Sequence, residues 1–218
     1  MQEYITLAAA MLLLPVLYRQ ILRWYRPFFE KEENRRWNPL FSVSELGVLL
    51  LSETALVRVW WKLGKCGAED MRFQLLFVML TGMTVLCMTD YREQIVPDRI
   101  LLLMAMIFLV IMGGQGLRNM EGLLAVIPSM ALGLLFCMLS FGLGYLLSHG
   151  SMGAGDVKLA LVMGVYLTGE YVVGAVLYGC IAGAVFSVVQ LLRKKLSRQD
   201  QIPFVPFLYL GLIVRYFR

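Results

Sequence analysis

The sequence predicts an all-α, polytopic membrane protein, and three observations predict it. Apolar residues make up 59% of the 218-residue chain, well above the roughly 45–50% of soluble domains. They gather into runs, several of them near the ~20 residues that a helix needs to cross a bilayer. The charge sits between the runs, and Lys and Arg concentrate in alternate turns, the pattern that orients a chain of several passes.

Taken in order, the first run is Tyr4 to Tyr18, with Pro15 late in it. Met1-Gln2-Glu3 lacks the basic start of a signal peptide, so this run is expected to be retained. The stretch Arg19 to Asn38 mixes six cations and three glutamates with Tyr18, Trp24, Tyr25, Phe28 and Phe29. That mixture suits a helix lying on anionic lipid, and it suits a solvated connector equally well. Leu40 to Trp61 is interrupted by Glu45, Glu53 and Arg58. It is read as a crossing because parity demands one before residue 73.

The runs Phe73 to Thr89 and Ile100 to Met112 follow, separated by the acidic turn 90–99. Gly113 to Glu121 reads as an external loop. Leu123 to Leu147 returns to a glycine-rich turn, Ser148 to Lys158. Beyond it lie Leu159 to Leu167, Tyr171 to Leu192 and, after a basic turn, Ile202 to Val214. About eight apolar helical segments result, some short or tilted, with both termini external. The turns assigned to the cytoplasmic side then hold thirteen Lys and Arg against six outside, as the positive-inside rule requires. Residues 1–72 form a divergent N-terminal region and 73–218 the better-patterned core, expected to make one integrated membrane domain.

The net charge of +5 is accounted for by topology, so no nucleic-acid partner is expected. Cys66, Cys87, Cys137 and Cys180 form no CxxC pair, which supports neither a zinc ribbon nor a disulfide framework. No metal and no cofactor are expected.

Two acids remain, each at a junction between an apolar run and a polar turn: Asp90 and Asp156. On the assigned topology both lie on the same face of the membrane. Carboxyls within a few ångströms of one another cannot both ionise cheaply, so one keeps its proton while the other stays charged. Such a pair activates water and protonates a carbonyl oxygen without metal or covalent nucleophile, and it titrates as a unit. Gly153 and Gly155 precede the second acid and let backbone approach whatever it faces. The competing reading makes Asp90 an interface residue at a helix end and Asp156 a helix cap. Lys158 either holds a carboxylate charged or anchors the helix by snorkelling. His149 reads as a solvated loop residue, and Pro97 as the start of the following helix.

The turn Gly153-Ala154-Gly155-Asp156-Val157-Lys158-Leu159 resembles the signature of the GxGD membrane aspartic proteases, specifically the type IV prepilin peptidases. The run ending in Asp90, with Arg92 and Ile95-Val96-Pro97-Asp98 after it, is similar to the first motif of that family. Ile202-Pro203-Phe204-Val205-Pro206-Phe207-Leu208 resembles its C-terminal segment. Val96, Asp98 and Val205 depart from the commoner isoleucine, asparagine and glycine. The resemblance covers Phe73 to Val214 and implies that Asp90 and Asp156 are the catalytic pair. It implies cleavage after a glycine, at the cytoplasmic face of the cell membrane, of the basic leader of pilin-like precursors. Glu93 and Asp98 offer charge for such a leader. Many members also methylate the new N-terminus, with a cytoplasmic loop carrying two CxxC pairs. Without those pairs this chain is expected to be a peptidase lacking methyl transfer. Two other classes stay open: a presenilin-like or signal-peptide-peptidase-like intramembrane protease, in which Tyr rather than Thr89 precedes the first acid, and a non-enzymatic transporter or scaffold.

Overall fold

The computed structural model describes residues 47, 54–55, 57–58, 70–148, 152–194 and 202–217. The chain divides into two compact units, Met1–Ala68 and Glu69–Arg218. In the first, the described residues Gly47, Thr54, Ala55, Val57 and Arg58 are helical. The run 4–18, the charged stretch 19–38 and most of 40–61 lie outside the described residues, as does His149.

The second unit contains five helices and, among the described residues, no strand: α1 (Met71–Glu93), α2 (Asp98–Arg118), α3 (Met120–Leu147), α4 (Ala154–Leu192) and α5 (Val205–Phe217). The first four are long and apolar enough to cross a membrane, while α5 is a shorter apolar helix. The expected all-helical membrane class therefore holds. The count of about eight segments is not supported: this unit has five helices where six segments are expected, because 159–167 and 171–192 join, and one further boundary is drawn differently.

The first difference is the loop expected at 113–121. Helix α2 runs to Arg118 and α3 starts at Met120, leaving Asn119 alone between them. Gly113, Gly114 and Gly116 mislead, since glycine is common in membrane helices, where an open loop would strand its polar groups. Asn119 makes so short a junction workable by accepting the Gly122 N–H at 2.9 Å.

The second difference is α4, expected as separate segments 159–167 and 171–192. It is one helical run of 39 residues broken at Thr168, whose φ of 62° and ψ of 166° are non-helical. A straight helix of that length would span ~58 Å, nearly twice the ~30 Å of hydrocarbon. The contacts show how the length is accommodated. Val96 against Gly155, Asp98 with Lys158, and the Tyr166 hydroxyl donating to the Met104 carbonyl at 2.6 Å run in the same order along the α2 region and the first arm. Beyond the break, Gly174 meets Arg215, Gly179 meets Leu208, and Gly183 meets Phe207, the opposite order along α5. Helix α5 in turn opposes α1, with Val205 beside Asp90 and Tyr209 beside Thr84. The two arms of α4 thus run in opposite senses, and the Ser129 hydroxyl of α3 accepts the Gly169 N–H at the reversal.

Helix α1 is the most enclosed, with Leu76, Met79, Leu80, Met83 and Leu86 fully buried. Helices α2 and α3 bury one edge each and present Leu102, Met106, Leu109, Leu132, Leu135 and Leu139 outward, faces suited to hydrocarbon. Gly133 of α3 and Gly164 of α4 lie backbone against backbone, and a Cβ on Gly164 would stand 2.7 Å from the Gly133 carbonyl oxygen. Small residues permit this approach in membrane helix pairs. The end of α5 is fastened by Arg215, 5.0 Å over the Tyr171 ring, and by Tyr216 stacked on that ring at 5.3 Å.

Candidate active site

Asp90 lies in the last turn of α1, which Gln94 closes in the left-handed conformation (φ 53°) by donating its N–H to the Asp90 carbonyl at 2.9 Å. The Asp90 side chain is only 5% exposed. A carboxylate at a helix C-terminus faces the negative end of the helix dipole, an unfavourable place for charge. Compensation comes from the start of α5: Asp90 Oδ2 accepts the backbone N–H of Val205 at 2.9 Å.

Asp156 lies in the first turn of α4, where Gly153 is the N-cap and the dipole favours a negative charge. It is half-buried. The Asp90 carboxyl is close enough to act on it electrostatically. The two sequence-selected acids stand at the ends of different helices, and the turns that adjoin them touch, Gly155 against Val96 and Lys158 with Asp98.

The flanking residues explain the approach. Gly155 lies against the segment that follows Asp90: a Cβ on it would stand 2.8 Å from Val96 Cβ and 3.5 Å from the Val96 carbonyl oxygen. What approaches the Gly155 backbone is therefore Val96. Gly153 is exposed, and its absent Cβ would stand 3.4 Å from Asp156 Oδ2. Pro97 is buried and serves as the N-cap of α2, its carbonyl accepting from Ile100 at 3.1 Å. Lys158 does not point at the acids; its Nζ pairs with Asp98 Oδ1 at 2.7 Å across two exposed side chains. This ion pair ties the start of α4 to the start of α2. Glu93 is exposed at the end of α1.

Sequence reasoning missed the part played by Val205. Its signal was present in Pro203 and Pro206, which restrict the backbone on either side of that residue. Nothing in a side-chain pattern shows which acceptor a main-chain N–H will meet. Among the described residues, no three of His, Cys, Asp and Glu group as a metal ion would need.

Comparison with known proteins adds an independent line. The profile of the "Type IV leader peptidase family" matches residues 77–188, a stretch containing both acids. A "Prepilin leader peptidase/N-methyltransferase" of Bacillus subtilis (strain 168) is 26% identical over 140 residues, which is 64% of this chain and 53% of that relative. The match thus spans about half the length of the curated relative. No solved structure matches.

Proposed function

The chain belongs to the type IV leader peptidase family, and from that premise we propose that it is an aspartic endopeptidase that removes the basic leader from pilin-like precursors at the cytoplasmic face of the cell membrane. The observation that carries this reading is the placement of Asp90 and Asp156 on helix ends whose adjoining turns touch, Gly155 against Val96 and Lys158 with Asp98, one acid buried and the other half-buried. A peptidase needs a nucleophile and an acid, and such a pair supplies both.

In the proposed reaction one carboxyl is charged and the other protonated. The charged carboxylate takes a proton from a water held between them, and the oxygen attacks the carbonyl carbon of the scissile peptide. The protonated partner donates to the carbonyl oxygen as it gains charge. Collapse of the tetrahedral intermediate then breaks the C–N bond, with the proton gained from water passing to the leaving amine and the proton lent to the carbonyl oxygen returning to the carboxylate that donated it. The roles belong to the pair as a whole.

The placement of the acids supports the substrate class. They stand at the ends of membrane-length helices, so they reach a peptide bond at the membrane boundary more readily than one at mid-depth. A precursor whose basic leader precedes an apolar helix presents such a bond, and the resemblance implies a cut after glycine. The charge asymmetry of the turns favours the cytoplasmic face. The chain contains no CxxC pair, and the product is proposed to leave without an added methyl group.

The test is co-expression of a type IV prepilin with the wild type, Asp90→Asn or Asp156→Asn, followed by intact mass. Leader loss with the wild type alone, at equal expression, is the expected result, with no methyl increment on the product. Processing by both variants would overturn the two-aspartate reading. A cut inside the apolar helix would favour an intramembrane protease.

A further inference from the structure

We propose that the start of the C-terminal helix α5 is a positioning element of the aspartate pair: the backbone N–H of Val205 fixes Oδ2 of Asp90 and leaves the other oxygen of that carboxyl for water. The inference rests on the reading of Asp90 as one member of the pair.

Three observations carry it. Val205 N lies 2.9 Å from Asp90 Oδ2. Val205 is fully buried and Asp90 nearly so, so water cannot take over the bond. The donor also belongs to a helix start: the Phe204 carbonyl accepts from Phe207 at 3.1 Å and from Leu208 at 3.3 Å, which makes Val205 the first helical residue. The first N–H groups of a helix have no partner within it. Here a side chain of α1, distant in sequence, meets one of them, so one contact caps α5 and orients the acid.

A carboxyl held by one oxygen has a fixed plane. The remaining oxygen then points in one direction, which a reaction requiring in-place proton transfer demands. Proline residues flank the clamp at 203 and 206, narrowing the backbone freedom of the donor strand before any substrate arrives. The ionisable groups acting on or beside Asp90 are Asp156 from α4 and Cys87 one turn back on α1. Helix α5 contributes a main-chain donor there, its Arg215 lying at the opposite end against Tyr171.

Val205→Pro removes the donor at the one helical position where proline's missing N–H is normal, and Val205→Ala keeps the donor while shortening the side chain. The expected result is a fall in kcat of roughly tenfold or more for Val205→Pro, per folded enzyme. The acidic limb of its pH–rate profile should move upward by about one unit, because a bond to the charged carboxylate has been lost. Val205→Ala should keep the wild-type limb. An unmoved limb and unchanged kcat in Val205→Pro would overturn the proposal; so would an equal limb shift in Val205→Ala.

Thermal unfolding in detergent reads the clamp without activity. Asp90→Asn retains an oxygen acceptor and should unfold no lower than the wild type, whereas Asp90→Ala leaves a buried N–H unmet and should unfold roughly 4 °C lower or more. Equal unfolding temperatures for the two would refute the clamp even if Asp90→Asn is inactive. If Asp90→Asn still cleaves precursor, the catalytic reading falls, while the gap between the two variants still reports the cap.

Discussion

Gly155→Ala tests how closely the second motif must seat against the first. The added Cβ would stand 2.8 Å from Val96 Cβ and 3.4 Å from its Cγ2, where non-bonded carbons rest at about 3.5–4.0 Å. The gap must therefore open by roughly 1 Å. Val96 yields poorly, because Gln94 is bonded to the Asp90 carbonyl on one side of it and buried Pro97 starts α2 on the other. The shift falls on the first turn of α4 and carries Asp156 away from Asp90. A misplacement of about 1 Å costs on the order of 100-fold in rate, while the overpacking itself costs about 1–3 kcal/mol of stability. Purified enzyme acting on a synthetic precursor, with leader release followed by mass, should show kcat reduced by about that factor. Gly153→Ala is a control for stability alone, because its Cβ would face Asp156 Oδ2. Its Cβ meets only ordinary contact at 3.4 Å and should lower stability by no more than about 1 kcal/mol, the scale of an N-cap change. Val96→Gly in the Gly155→Ala background removes the clashing atom and should restore most of the rate, a coupling that a double-mutant cycle measures. A Gly155→Ala enzyme that is folded and cleaves at the wild-type rate would refute the argument, as would failure of Val96→Gly to rescue a folded double variant.

Two further substitutions read the frame that holds the site. Thr168 has φ 62° and ψ 166°, a region nearly reserved to glycine that costs other residues roughly 1–3 kcal/mol, so Thr168→Gly should raise the unfolding temperature by about 2–4 °C for each kcal/mol relieved. The Thr84 hydroxyl donates to the Leu80 carbonyl at 2.8 Å and lies 3.1 Å from the Tyr209 hydroxyl, joining buried α1 to α5; Thr84→Val should destabilise the protein by about 1 kcal/mol in a thermal melt, and Tyr209→Phe should add less in the Thr84→Val background than alone.

What the sequence made legible was the set of features that leave a side-chain trace. Helices α1, α2 and α3 appear as apolar runs, and their described ends fall within a few residues of the polar turns, except at the α2–α3 junction. There the glycines at 113, 114 and 116 read as loop, because a sequence shows their freedom and not the bilayer that suppresses it. The break in α4 was expected at Thr168-Gly169-Glu170, and it lies at Thr168. A hydropathy pattern could not show that helical bonding resumes at once and that Ser129 secures the turn. The two acids were selectable because buried carboxyls are costly. The seating of their two turns was not, since it depends on Gly155 lying against Val96.

The arrangement of helix ends keeps Lys158 from serving the proposed pair. Lys158 is only two residues from Asp156, yet it pairs with Asp98 at the exposed rim. Main-chain N–H groups bring positive potential to the acids: the first turn of α4 around Asp156 and the first residue of α5 at Asp90. Fixed dipoles of this kind need no reorganisation as charge moves during reaction, whereas a lysine beside the pair would hold both carboxyls ionised and remove the proton that one of them must donate. On the proposed reading, two helix starts beside one helix end stabilise the buried Asp90 without a cation, and so preserve the competition between the carboxyls on which water activation would depend.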